Sequence, residues 1–217
     1  DAHDLVRVFQ GDQPGFVYGR QGTPTSAALE EKITRMEQGI LTIGFSSGMA
    51  AISATLFSLL RAGDHLVASS FLFGNTTSLF ESFTRMGIDV TFVDATDAAN
   101  VEAALRPETR MVFVETIANP CTQVADLAAI GTLCQARGIV YIVDNTITTP
   151  FLFLPKSVGA SLVVNSLTKY IGGHGNALGG AVTDTGLFDW SGYANILDLY
   201  KKGDAKTWGI VQIRKKG

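Results

Sequence analysis

The strongest chemical feature of the sequence is a lysine that stands beside hydroxyl side chains, just after an apolar run. Residues 165–170 read NSLTKY and lead into Ile171–Ala181, where five of eleven residues are glycine. A lysine in a dry site can lose its proton and form a Schiff base with an aldehyde, so Lys169 is a candidate for covalent chemistry. Ser166 and Thr168 could bind an anion beside it. The alternative is an ordinary surface lysine that follows a strand.

An acidic residue closes another apolar run, 25 residues before that lysine. Residues 143–146 read VDNT, and Asp144 could hold a cation or a protonated ring nitrogen. By itself, an aspartate in such a place more often belongs to a turn. Enzymes that use pyridoxal phosphate (PLP) need both residue types, because an aspartate keeps the pyridine ring protonated while a lysine forms the imine. Asp144 and Lys169 together therefore predict PLP as the cofactor.

Two further segments offer groups for an anion such as phosphate. Gly48 and Met49 follow two serines at the predicted start of a helix, where backbone N–H groups bind phosphate readily. A plain serine cap of that helix is the alternative. Tyr18 and Arg20 stand in a glycine- and proline-rich stretch over residues 1–25, which predicts an extended arm rather than a helix or strand. These two side chains suit anion binding, although solvated loop residues would look the same in isolation.

Other site chemistries find little support in the motifs. Gly173, Gly175 and Gly179 fall one residue off the GxGxxG spacing and follow a lysine loop, which disfavours a nucleotide-binding oxidoreductase. The three histidines, at positions 3, 65 and 174, have no metal-ligand spacing, so no metal site is predicted.

Alternating strands and helices are predicted to position these residues. The alternation predicts an α/β fold with a mainly parallel sheet and helices on both faces. Such sheets bind ligands outside the carboxyl ends of their strands, and polar residues, among them Glu115 and Thr116, follow each predicted strand. The predicted strands are Leu41–Phe45, His65–Ala68, Val90–Val93, Met111–Val114, Ile139–Val143, Ser161–Val164 and, after the glycine cluster, Gly180–Thr183. The predicted helices are 26–37 (with Ser26 as N-cap), Met49–Leu60, Thr76–Arg85, Val101–Leu105 and Leu127–Arg137.

Composition excludes several classes of protein. The chain has 217 residues, 46% hydrophobic and 17% charged, and this balance excludes a disordered protein. A net charge of −3 predicts no nucleic-acid partner. No apolar run reaches about 18 residues and the first residues do not read as a signal peptide, so no membrane association is predicted. Cys121 and Cys134 form no CxxC pair, which fits free thiols in the cytoplasm.

A set of motifs runs along the chain in one order. They are Tyr18, Arg20, Pro24 and Thr25, SSGMAAI at 46–52, ETIANP at 115–120, VDNT at 143–146 and NSLTKYIGGHGN at 165–176. Together they resemble the Cys/Met-metabolism family of PLP enzymes, which includes cystathionine γ-synthase, cystathionine lyases, methionine γ-lyase and homoserine-ester sulfhydrylases. The resemblance covers about residues 10 to 200. It implies the large domain of the aspartate-aminotransferase-like fold (fold type I), over residues 26–217, with the C-terminal small domain missing.

The resemblance also implies roles for individual residues. Lys169 would carry PLP, and Asp144 would pair with the pyridine nitrogen. Asn119 would approach the ring hydroxyl, and Thr146 would lie near the ring. The residues implied to hold the phosphate are Ser47, Gly48, Met49, Ser166 and Thr168.

The resemblance also bears on the N-terminal arm and on two positions at which this chain departs from the family pattern. Tyr18 and Arg20 would reach from the arm, residues 1–25, into the phosphate site of a neighbouring subunit, so a homodimer or homotetramer is expected. Where the family usually stacks a tyrosine on the PLP ring, this chain has Phe73, which can stack but has no hydroxyl. Asn75 stands where methionine γ-lyases usually have cysteine, which argues against that branch.

The function implied is γ-replacement on O-acetyl- or O-succinylhomoserine with sulfide or a thiol, giving homocysteine or cystathionine in methionine biosynthesis. One alternative is γ-elimination, of the methionine or cystathionine γ-lyase type, in which water ends the reaction. Another is a truncated chain that binds PLP but has no activity.

Overall fold

The computed structural model describes residues 2–10, 12–19 and 22–216, and a seven-stranded β-sheet lies at its centre. The strands are β1 (Leu41–Phe45), β2 (His65–Ser69), β3 (Asp89–Val93), β4 (Thr109–Glu115), β5 (Val140–Asp144), β6 (Leu162–Asn165) and β7 (Gly180–Asp184). Their order across the sheet is β1-β7-β6-β5-β4-β2-β3. Strand β7 is antiparallel to both of its neighbours, and the other pairs are parallel. The predicted mainly parallel sheet is confirmed.

Helices connect the strands and flank the sheet. They are α1 (Ala2–Gln10), α2 (Pro24–Met36), α3 (Gly48–Leu59), α4 (Gly74–Thr84), α5 (Ala98–Ala104), α6 (Leu127–Arg137), α7 (Thr149–Leu152) and α8 (Trp208–Lys216). Short 3₁₀ turns lie at Pro155–Val158, Trp190–Gly192, Asp198–Tyr200 and Ala205–Thr207. Within the described ranges, no helix combines the length and the apolar character that crossing a membrane requires.

Apolar side chains leave the two faces of the sheet and enter two separate cores. Along β4, Met111 and Phe113 belong to one core, and Val112 and Val114 belong to the other. Successive side chains of a strand point to opposite faces, so a fully apolar strand feeds both cores. Helices α3, α4 and α8 contribute to the first core, and α5 and α6 contribute to the second. This confirms helices on both faces.

The N-terminal stretch differs from its prediction. It was expected to have no helix or strand over 1–25, but α1 is a helix there. The prediction was wrong because glycines and prolines dominate the stretch as a whole, whereas Ala2–Gln10 contains none. Its apolar residues Leu5, Val6 and Phe9 share one side of the helix and are exposed.

Two helices begin earlier than the apolar periodicity predicted, because an N-cap residue sets their first turn. Helix α2 begins at Pro24 rather than after Ser26, because Thr23 is the N-cap and forms a capping box with Ser26. Pro24 is favourable at this first helical position. Helix α5 begins at Ala98, three residues before the predicted Val101, because the side chain of Asp97 accepts a hydrogen bond from the Ala99 N–H.

Candidate active site

A cleft of about 550 Å³ opens at the carboxyl ends of β4, β5 and β6, beside the N-terminus of α3. Its volume lies within the range of small-molecule sites. Of the residues predicted for the site, those that line the cleft are Gly48, Met49, Phe73, Asn119, Asp144, Thr146, Ser166 and Lys169. Lining residues that were not predicted are Ile52, Thr76, Glu115, Ile117, Ile147, Tyr170, Gly173 and Gly175.

Lys169 stands on a tight loop that follows β6. The Lys169 N–H donates to the Ser166 carbonyl at 3.2 Å, and the Gly172 N–H donates to the Leu167 carbonyl at 2.8 Å. A Cβ on Gly172 would lie 2.7 Å from that Leu167 oxygen, so the loop closes only because this residue is glycine. Lys169 is exposed, so the described part of the chain does not by itself form the kind of dry site in which a lysine loses its proton.

Asp144 is the last residue of β5 and stands opposite Glu115 of β4 in the register of the sheet. Its Oδ1 accepts a hydrogen bond from the Thr146 N–H at 2.9 Å. Desolvation raises the pKa of Asp144, and the hydrogen bonds from Thr146 oppose that rise. Among the described residues, no lysine or arginine forms an ion pair with Asp144.

The start of α3 lies against the loop that carries Ser166. A Cβ on Gly48 would lie 2.7 Å from the Cβ of Ser166, so the two segments approach closely only because residue 48 is glycine. The N–H groups of Gly48 and Met49 find no acceptor among the residues that the structure describes. The hydroxyl of Ser47 accepts the Ala50 N–H at 3.1 Å, which is the plain serine cap that the sequence left open.

Of the predicted site residues that the structure describes, three do not line the cleft. Thr168 closes the glycine loop, since its hydroxyl donates to the Gly179 carbonyl at 3.2 Å and accepts the Gly179 N–H at 3.0 Å. The hydroxyl of Ser47 caps α3, and Tyr18 is exposed in the arm. Arg20 lies outside the described residues.

A buried carboxyl that was not among the predicted site residues joins two of them. Glu115 ends β4, and its Oε1 accepts the Phe73 N–H at 2.7 Å while its Oε2 accepts the Asn119 N–H at 3.0 Å. Burial raises the pKa of Glu115 to about 7; nearby Asp144 adds to the rise, and the two N–H donors oppose it. The signal in the sequence was its place at the end of a predicted strand, one strand away from Asp144.

A second buried carboxyl ties together the strands that carry Asp144 and the lysine loop. Oε1 of Glu37 accepts Nδ2 of Asn145 at 3.2 Å and Nδ2 of Asn165 at 2.7 Å. These asparagines are the residue after β5 and the last residue of β6. Glu37 is fully buried, and desolvation raises its pKa against the effect of both amides. In the described part of the chain, His, Cys, Asp and Glu form no group that could hold a metal ion.

Comparisons with known proteins bear on this cleft. The model of the family described as Cys/Met metabolism PLP-dependent enzyme matches residues 1–205. An O-acetyl-L-homoserine sulfhydrylase of Corynebacterium glutamicum is 43% identical over 192 residues, which are 88% of this chain and 44% of that protein. An L-methionine gamma-lyase of Fusobacterium nucleatum subsp. polymorphum is 42% identical over 196 residues, 89% of this chain and 50% of that protein. The chain thus spans about half the length of the curated relatives it matches.

The fold of this chain also matches that of a solved structure. A Campylobacter jejuni protein described as an O-acetylhomoserine (thiol)-lyase superposes with a TM-score of 0.85 at 29% identity. The match covers 98% of this chain and 56% of that one. That structure contains a lysine covalently linked to the cofactor, as pyridoxyl-lysine phosphate.

Proposed function

Because the chain belongs to the Cys/Met metabolism family of PLP-dependent enzymes, we propose that it is the cofactor-binding part of an enzyme that replaces the γ-substituent of an O-acylhomoserine. Acetate or succinate leaves from Cγ, and sulfide or a thiol takes its place, giving homocysteine or cystathionine. The observation that carries the proposal is the cleft that Lys169, Asp144 and Phe73 line together. Relatives named as homoserine-ester sulfhydrylases support the substrate class.

The residues of the cleft fit PLP on two observations. Asp144 has a carboxyl with no described cationic partner, which is the place for a protonated ring nitrogen. The N–H groups of Gly48 and Met49 point from a helix N-terminus at a place suited to phosphate. In the proposal Lys169 holds the cofactor covalently, Phe73 stacks on its ring, and Asn119 and Thr146 contact it, with Ser166 beside the phosphate.

Residues of this chain then handle the protons. When bound, PLP withdraws electrons from the Cα of the substrate. Once the substrate amine has displaced it from the cofactor, Nζ of Lys169 would remove the Cα proton, pass it on, and then remove a proton from Cβ, and the electron pair left at Cβ would expel acetate or succinate from Cγ. After the sulfur nucleophile bonds to Cγ, the same amine would return protons to Cβ and Cα. Asp144 keeps a proton on the ring nitrogen. Phe73 offers no hydroxyl, so Lys169 and water carry out the proton transfers.

Two residues act in this proposal without lining the cleft. Ser47 supports the phosphate site by capping α3, and Thr168 supports it by closing the loop around Lys169. The contribution of Tyr18 and Arg20 to a neighbouring subunit stays a prediction, as do the cytoplasmic location and the dimeric or tetrameric state. The exposed apolar residues Leu5 and Phe9 of the arm support self-association.

γ-Elimination is the second candidate, because relatives named as methionine and cystathionine gamma-lyases are of similar identity. The experiment supplies the full-length gene product with O-acetyl- or O-succinylhomoserine, with and without sulfide. Homocysteine formed only with sulfide supports replacement. 2-Oxobutanoate released at the same rate in both conditions contradicts it and identifies a lyase.

The role of Lys169 has its own readout in the same preparation. Borohydride treatment should fix the cofactor on Lys169, and peptide mapping should find the label there. A colourless protein that gains no visible absorbance on addition of PLP would overturn the whole proposal.

A further inference from the structure

Glu115 stands where two segments of the cleft wall meet. Phe73 precedes α4, and Asn119 lies in the loop after β4; each donates its backbone N–H to a different oxygen of the same carboxyl. The residue is only 7% exposed, and its side chain lines the cleft. The two donors belong to Phe73, which is proposed to stack on the cofactor ring, and to Asn119, which is proposed to contact it.

A carboxylate suits this place better than any other side chain. Both donors are N–H groups, so both side-chain oxygens must accept. Glutamine would turn an NH₂ donor toward one of the N–H groups, and aspartate is one methylene shorter. The N-terminus of α4 further favours a negative charge beside Phe73.

We propose that Glu115 is a positioning residue, which fixes the ring-stacking side chain of Phe73 relative to Asn119 through these two hydrogen bonds. The identity of the ring that Phe73 meets rests on the proposed function. The two hydrogen bonds that join Phe73 and Asn119 through Glu115 do not rest on the proposed function, because they form within the chain itself.

Charge near Glu115 makes the link sensitive to pH. Among the described titratable or charged residues, Asp144 of β5 stands directly opposite Glu115 in the sheet, and Lys169 and Tyr170 line the same cleft. Phe73 and Asn119 meet the carboxyl through their backbone N–H groups. Because the pKa of Glu115 is raised to about 7, lowering the pH through neutrality protonates it and weakens one acceptor.

The test compares Glu115→Gln and Glu115→Asp with Glu81→Gln in the full-length gene product. Glu81 is exposed on α4, so its change removes the same charge without touching the cleft. Glu115→Gln should weaken PLP binding about tenfold in a spectral titration, which is the effect of one lost charge-assisted hydrogen bond. The visible circular-dichroism band of the bound cofactor should change with a midpoint near pH 7 in the wild type, and this midpoint should vanish in Glu115→Gln.

A second measurement does not depend on the cofactor. In cofactor-free protein, amide hydrogen exchange at Phe73 and Asn119 should be faster in both Glu115 variants than in the wild type or Glu81→Gln. Unchanged exchange at both amides overturns the inference, whether or not PLP binds. If exchange speeds up but neither the wild type nor Glu81→Gln binds PLP, the inference stands and the proposed function fails. Glu115→Asp keeps the charge and replaces Glu115→Gln as the test variant if the latter does not fold.

Discussion

Phe73 is the residue whose chemistry most affects the proposed reaction. The residue is 39% exposed and lines the cleft, and its N–H donates to Glu115. The backbone is therefore held in place while the residue stays accessible. A phenyl ring stacks through its face but cannot move a proton. In the proposed reaction the amine of Lys169, together with water, therefore carries out the proton transfers that a tyrosine hydroxyl at this position could share.

Adding the hydroxyl tests this division of work. Phe73→Tyr should change the pH profile of kcat for homocysteine formation, because a phenol with a pKa near 10 becomes a second proton carrier. Steady-state rates across pH measure the effect. Phe57→Tyr is the matched control, since Phe57 is half exposed on α3 and does not line the cleft. Identical rates and profiles for Phe73→Tyr and the wild type would show that the missing hydroxyl has no consequence.

At the scale of elements, the site depends on how closely α3 approaches the loop after β6. Gly48 begins α3 and touches Ser166, and the Ser166 N–H donates to Oγ1 of Thr146 at 2.8 Å. The buried carboxyl of Glu37 links the ends of β5 and β6, because it accepts hydrogen bonds from the side chains of Asn145 and Asn165. The start of α3, the loop after β6 and the residues that follow β5 are therefore in direct contact around Lys169.

The methyl group added by Gly48→Ala should push α3 and the loop after β6 apart. In Gly48→Ala the new Cβ would lie 2.7 Å from the Cβ of Ser166, so α3 or the loop must shift and PLP binding should weaken by about tenfold or more. Gly74→Ala is the control: Gly74 also begins a helix, and a Cβ there would meet nothing within 4 Å. Spectral titration with PLP compares the two. Equal affinity in both variants would mean that the close approach does not matter for the cofactor.

For the whole molecule, buried acids link stability to pH. Desolvation raises the pKa of several of them, to about 7 for Glu115 and Asp184. Asp184 is fully buried at the end of β7, where its carboxyl accepts the Gly186 N–H and Nε1 of Trp190. A carboxyl whose folded-state pKa is raised binds its proton more tightly in the folded state than in the unfolded one. Its contribution to stability is complete below the unfolded pKa, about 4, and is lost as the pH rises to about 7.

Cofactor-free protein should therefore lose unfolding free energy as the pH rises from about 5 to 7. Asp184→Asn should flatten this slope by up to about 1.4 kcal/mol per pH unit, because the amide does not titrate. It should also lower stability at pH 5, since its NH₂ meets Nε1–H of Trp190. Denaturant unfolding at several pH values measures both effects, and Glu81→Gln should keep the wild-type slope. A slope that rises with pH in the wild type would contradict this account.

The sequence by itself determined the features that depend on local pattern. Periodicity and apolar runs fixed the strand–helix alternation, and the alternation fixed a mainly parallel sheet whose carboxyl ends carry the polar motifs. Lys169 and Asp144 were therefore predictable as neighbours, because each follows a strand and adjacent parallel strands end at one edge. The two residues indeed line the same cleft.

Only the tertiary structure decided which polar groups find each other across long stretches of chain. Glu115 and Phe73 are 42 residues apart, and no spacing rule predicts that a side-chain oxygen of one meets the N–H of the other. The same holds for Glu37 and Asn165, 128 residues apart. Thr168 illustrates the reverse, because a hydroxyl predicted to hold phosphate is hydrogen-bonded to the backbone of Gly179. Its contact with phosphate stays a prediction. The physical reason is that buried polar groups must be paired, and the available partner depends on packing rather than on sequence distance.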